Sequence, residues 1–234
     1  MDYFRNIVVV AALAGALAGL GMTVAQQLST VPLILKAEVY EQSAEPPAHE
    51  RGDAAATQAH EHSEDGWSPA DGFERTFFSV LANIVTGIGF ALLLVAASEL
   101  FGGIRDWRQG VFWGLAGFAV FTLAPGLGLP PELPAMPAAE LGARQMWWVA
   151  TVVCTAAALG LLVYQRSLPA VIVAMALIVA PHLIGAPQPP SYATPIPEGL
   201  HHSFVVAVVL TTLLFWVLLG GLAGLFRGRF VSAS

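Results

Sequence analysis

Apolar runs alternate with short polar or proline-rich stretches along this chain. The runs cover residues 7–27, 77–100, 110–129, 145–164, 168–186 and 203–226, and Glu99 is the one Asp, Glu, Lys or Arg within them. A helix crossing a bilayer needs about 20 apolar residues, so each run has the length of one span. The pattern predicts an all-α, polytopic membrane helix bundle with six transmembrane helices in a single membrane domain. Five spans are the alternative, with 110–129 entering and leaving one face, because Pro125, Pro130, Pro131, Pro134 and Pro137 crowd its far end. The segments 130–137 and 187–200 are too rich in proline for regular helix, since each proline removes a donor and clashes with the preceding turn.

The first run contains Gly15-x-x-x-Gly19, a spacing that lets helices approach closely in lipid. A Gly/Ala-rich span with no partner on that face would look the same. The run exceeds the roughly 7–15 apolar residues of a signal peptide, so it reads as an uncleaved span, with cleavage near Thr23-Val24-Ala25 as the alternative. Pro32 is expected to break the chain beyond the span. Lys36, Glu38, Tyr40 and Glu41 then begin a polar loop, which continues through 42–72 as a mobile acidic segment without an apolar period.

Composition agrees. Hydrophobic residues make up 56% of the chain and charged residues 11%, against about 25% charged in soluble domains. The net charge of −6 is concentrated in residues 38–76, which carry ten acids and two arginines. That distribution argues against nucleic-acid binding. The single cysteine, Cys154, lies within an apolar run and reads as a small packing residue. Basic residues orient the bundle. Arg5, Arg105, Arg108, Arg166, Arg227 and Arg229 fall on one side in short segments, and Lys36, Arg51, Arg75 and Arg144 on the other. The positive-inside rule therefore places both termini in the cytoplasm.

With that orientation all six histidines gather at or near the outer face. The stretch 180–202, between the last two spans, holds His182, Glu198, His201 and His202. His182 follows Pro181 close to the end of a span, where an ionisable residue is a functional candidate and an interfacial cap the plain alternative. Adjacent helical residues point about 100° apart, so only one of His201 and His202 would face the bundle. His60 and His62 flank Glu61 in the acidic loop, which reads either as a loose chelator or as a solvated linker. Glu38 and Glu132 lie on the same side. Imidazole and carboxylate together suit divalent first-row transition ions, so His182, His201, His202, Glu38, Glu132, Glu198, His60 and His62 are the candidate metal ligands. Glu99 reads as a snorkelling or N-terminus-paired carboxylate, with an ion relay as the alternative, and Arg144 before Trp147-Trp148 reads first as an interface anchor, with a salt bridge to Glu132 or Glu140 as the alternative.

Catalytic signatures are missing. There is no P-loop, no His-Glu-x-x-His and no Gly-x-Ser-x-Gly, so no enzyme reading is supported.

Four stretches carry a resemblance that spans nearly the whole chain. They are Val31-Pro32-Leu33-Ile34-Leu35-Lys36-Ala37-Glu38, Leu123-Ala124-Pro125-Gly126 continuing through Pro130-Pro131-Glu132-Leu133-Pro134, Ala143-Arg144-Gln145-x-Trp147-Trp148, and Pro181-His182-Leu183-Ile184-Gly185-Ala186-Pro187. In these the chain resembles the CbtA family of predicted cobalt transporter subunits. The resemblance implies cobalt uptake for cobalamin supply, so the chain reads as a bacterial inner-membrane subunit that admits or moves Co²⁺, or Ni²⁺, inward with no permanently bound cofactor; a binding or scaffold subunit that captures the ion and gives it to a partner's pore is the alternative. The resemblance also implies a small single-span companion, CbtB, with histidines near its C-terminus. The expected partners are thus the bilayer, a transition-metal ion and that companion, with homo-oligomerisation left open.

Overall fold

A computed structural model describes residues 2–44, 69, 70, 72–165 and 167–230. The helices run α1 (Asp2–Leu28), α2 (Thr30–Ala44), α3 (Phe73–Glu99), α4 (Trp107–Phe118), a π-helical turn (Ala119–Leu123), α5 (Ala124–Gly126), α6 (Leu141–Tyr164), α7 (Leu168–Ile184) and α8 (Glu198–Phe230). No strand occurs among the described residues. Helices α1, α3, α6 and α8 are each long and apolar enough to cross a membrane, while α7 is apolar but has 17 residues.

Glycine lets the helices meet backbone to backbone. Gly15 and Gly19 of α1 lie against Gly87, Ile88 and Asn83 of α3, so closely that a Cβ at either glycine would overlap main-chain atoms. The Gly15-x-x-x-Gly19 spacing is therefore a helix-packing face. A second pairing repeats the device. Gly110 and Gly114 of α4 lie against Gly220 and Trp216 of α8, and Gly224 against the Asp106 carbonyl. Close approach in lipid adds dispersion contacts where no hydrophobic force distinguishes a neighbouring helix from acyl chains. The pairing order, 106 with 224, 110 with 220 and 114 with 216, makes α4 antiparallel to α8. Farther along, His201 Nε2 lies 3.2 Å from the Pro131 carbonyl oxygen. Residues 106–131 thus run beside α8 from near its last turn to its first.

Between the two pairs lies a core of Ala11, Ala14, Ala91, Leu94, Val95, Phe215, Trp216 and Leu219. Phe90 and Phe121 pack their rings against Trp216, with centroids 5.0 and 5.6 Å away. The π-helical turn precedes Pro125, whose nitrogen has no proton to give and whose ring crowds the turn before it. The wider turn, in which Ala124 N bonds the Ala119 carbonyl, accommodates that crowding. Thr122, in the same turn, accepts a hydrogen bond from Trp216 Nε1 at 3.2 Å.

One expectation is corrected. Residues 36–41 do not begin a loop, because α2 continues to Ala44. Pro32 sits in the first turn of α2, where its missing N–H has no helical partner to lose. The helix also has something to bury: Ala37, with Leu33 and Ile34, packs on Leu133, Ile196 and Phe204. His60 and His62 lie outside the described residues.

Candidate functional site

The bundle has two chemically distinct ends. At the His201 end, α2, the proline-rich segment after α5, the α7–α8 connection and the start of α8 share a small core of Ala37, Leu133, Ile196 and Phe204. Thr194 Oγ1 donates to the Ala135 carbonyl at 3.1 Å, tying the two irregular segments together. These contacts give the prolines a defined course despite the lack of helix.

His182 lies in the last turn of α7 and is half-buried. The ring of Trp147 meets it edge to face, with centroids 5.7 Å apart. Trp147 is buried, and its Nε1 donates to the Pro181 carbonyl at 3.1 Å. Gly185 N donates to the same oxygen at 3.1 Å, at φ 90, a conformation that glycine adopts without strain. Gly128 lies against the Trp147 ring so closely that any side chain there would displace it. His182 is thus held on a rigid aromatic base.

His201 is half-buried and faces Pro131, while His202 is exposed. The expected divergence of the two rings is what the helix produces. The 3.2 Å contact to the Pro131 oxygen requires the proton on Nε2 and leaves the Nδ1 lone pair available. Glu198, the first residue of α8, is exposed.

Glu132, next to Pro131, is paired with Arg144 at 3.1 Å. Glu38 is paired with Arg75, Oε1 to Nη2 at 2.5 Å. Both carboxylates are about a quarter exposed, so each pair is reachable from solvent. Among the described residues no three His, Cys, Asp or Glu side chains come together as a ready-made metal centre. His182, Glu132 and His201 share one end of the bundle, and Glu38 approaches that end through α2.

Glu140 acts differently from the other acids. It caps α6, its carboxylate accepting from Gly142 N at 2.8 Å and Ala143 N at 2.7 Å. Those two backbone donors hold its carboxyl below the usual range. It is committed to the helix.

The Arg227 end carries a lock that sequence reading did not assemble. Arg227 Nε donates to Glu99 Oε1 at 2.9 Å and Nη2 to Glu99 Oε2 at 3.2 Å. Its Nη1 donates to the Ile104 carbonyl at 2.5 Å, and Tyr3 donates to Glu99 Oε2 at 2.6 Å. Gly103, at φ 75, leaves room for the guanidinium where any side chain would collide. Asn6 Nδ2 donates to the Phe230 carbonyl at 3.0 Å, so α1 begins where α8 ends. The signal for this lock was a charge at the end of each of two apolar runs.

No curated protein matches the chain, and no solved structure does. One family does, described as the probable cobalt transporter subunit CbtA, over residues 4–228. It is a family of transporter subunits and not of enzymes. The match reaches from α1 to α8 and includes the proline-rich segment that carries Glu132 and the end of α7 that carries His182, and the chain belongs to the CbtA family.

Proposed function

We propose that this chain is the membrane subunit through which Co²⁺ is taken up from the outer face, crossing the membrane six times with both termini cytoplasmic. Family membership carries the cobalt assignment. Six crossings are supported by the course of residues 106–131, which accompany α8 along its length instead of turning back halfway. The orientation rests on the short arginine-bearing segments at the Arg227 end.

In this reading His182, His201 Nδ1 and Glu132 receive the ion as it loses water. Glu132 then exchanges Arg144 for the cation, and a borderline divalent ion accepts this mixture of imidazole and carboxylate. Glu38 could exchange Arg75 in the same way. Glu198 and His202, both exposed, would meet the hydrated ion first. The loop pair His60 and His62 would raise the local ion concentration.

A second reading is favoured by a specific observation. The core between the helix pairs is mainly alanine, leucine, valine and aromatic, and the buried hydroxyls of Thr23, Ser98 and Thr211 each donate to a carbonyl of their own helix. A polar route would then be completed by a partner, such as a single-span companion, and this chain would capture the ion and hand it on. Uptake of radioactive cobalt into proteoliposomes separates the two. Transport by the chain alone supports the first reading, transport only with the companion supports the second, and none in either case with intact folding refutes both.

A further inference from the structure

A cavity of about 640 Å³ lies between α3, α4 and α6. This falls within the roughly 300–1,000 Å³ of pockets that hold small ligands. Helix α6 packs on α7, on the π-helical turn and on α5, and it is tied to the Arg227 end by Tyr164, whose hydroxyl donates to the Leu100 carbonyl at 3.0 Å. Between those attachments it stands off from α3 and α4. The walls include Phe90, Trp113, Phe121, Leu159 and Trp216, and Gln109 is the single polar side chain among the lining residues. The side amide oxygen of Gln109 is already used, accepting from Arg105 N at 2.8 Å.

The rim faces outward from the bundle. Phe112 is 72% exposed, Val163 65% and Leu93 57%, and all three lie on spans where the surrounding solvent is hydrocarbon. A single acyl chain is slender enough to lie along these apolar walls, and the basic side chains beside the cavity favour an anionic headgroup at its end. Next to Gln109 at the Arg227 end stand Arg105 and Arg108, both exposed, while the acid between them, Asp106, is engaged as the cap of α4 through Gln109 N at 2.9 Å. Arg108 lies over the Trp107 ring, 5.5 Å from its centroid, at the level where headgroups meet the aromatic belt.

We infer that this cavity is a binding site for one anionic phospholipid, with an acyl chain between α3, α4 and α6 and the phosphate at Arg105 and Arg108. The site is separate from the His201 end and independent of the proposed ion path.

The test uses the full chain in detergent, stripped of lipid, with phosphatidylglycerol or phosphatidylcholine of the same acyl chains added back. Native mass spectrometry counts bound lipids, and thermal unfolding reports on folding. Gly160 lines the cavity, and a Cβ there meets nothing within 4 Å, so Gly160→Phe is the variant chosen to fill the space. The wild type should hold one phosphatidylglycerol in preference to phosphatidylcholine, by about fivefold for each arginine near the headgroup. Arg105→Gln with Arg108→Gln should remove that preference and keep an acyl chain bound. Gly160→Phe should abolish both bound species while unfolding at least as high as the lipid-free wild type. Ala156→Leu, on the same wall, serves if Gly160→Phe fails to fold. The inference is overturned if the cavity-filling variants retain the same lipid count and affinity. It is equally overturned if the wild type does not distinguish the two headgroups, or if filling the cavity leaves lipid bound and removes a companion helix.

Discussion

Arg227 and Glu99, 128 residues apart, form a two-point ion pair that joins the end of α8 to the end of α3, and Tyr3 adds α1 to the same carboxylate. The guanidinium is 13% exposed and the carboxylate 26%. Removing Arg227 leaves the Glu99 charge and the Ile104 carbonyl without the guanidinium in a largely dehydrated place. Arg227→Ala should cost about 3 kcal/mol, the lower end for a broken buried pair. Replacing both partners with Gln should cost less than the two single changes summed. A double-mutant cycle on reversible unfolding in detergent measures the difference, and strict additivity would mean the pair is not energetically coupled.

The glycine contacts make a sharper contrast. Gly87→Ala places a methyl group against the Gly15 carbonyl, and Gly220→Ala one against the Gly110 carbonyl. Backbone cannot move aside as a side chain can, so each should destabilise by about 1–3 kcal/mol. Gly89→Ala, two residues from Gly87 on the same helix, meets nothing within 4 Å and should be neutral or stabilising by up to about 1 kcal/mol. Unfolding midpoints in detergent decide it, and equal loss at Gly87 and Gly89 would refute the α1–α3 contact.

Glu140 supplies a pH dependence. Its folded carboxyl is held down by the Gly142 and Ala143 amides. The stability it contributes is therefore fully present above the unfolded value of about 4.3 and is lost as pH falls through the lower, folded value. Glu140→Gln should lower the unfolding midpoint by a constant amount above about pH 5, with the gap closing in stronger acid. A gap that stays constant down to the lowest pH would show that the charge on the cap does not matter.

The proposed ion path predicts unequal histidines. His182→Ala and His201→Ala should each reduce cobalt uptake at least tenfold with folding intact, while exposed His202→Ala should change it less than about twofold, as surface substitutions usually do. Trp147→Phe removes the N–H that holds the Pro181 carbonyl while keeping an aromatic ring beside His182. If Trp147→Phe abolishes uptake and His182→Ala does not, this corner is a hinge and the ion passes elsewhere. Each is measured as initial uptake rate against expression level.

Much of the helical architecture was legible from apolar run length alone, because a bilayer imposes that length on any helix crossing it. The Gly15-x-x-x-Gly19 face was visible too, and so was the divergence of His201 and His202, which is set by helical pitch. What the sequence left undecided was which elements meet. Gly110-x-x-x-Gly114 and Gly220-x-x-x-Gly224 have the same spacing as Gly15-x-x-x-Gly19, and small-residue stripes are interchangeable until the fold pairs them. The helix of residues 36–41 was missed because its local signal is polar, and its stability comes from Ala37 meeting Leu133, Ile196 and Phe204. Glu38 and Glu132 look alike in sequence as ligands or as ion-pair partners. The difference depends on an arginine 37 residues away in one case and 12 in the other, and electrostatic energy follows distance in space, which only the tertiary structure sets.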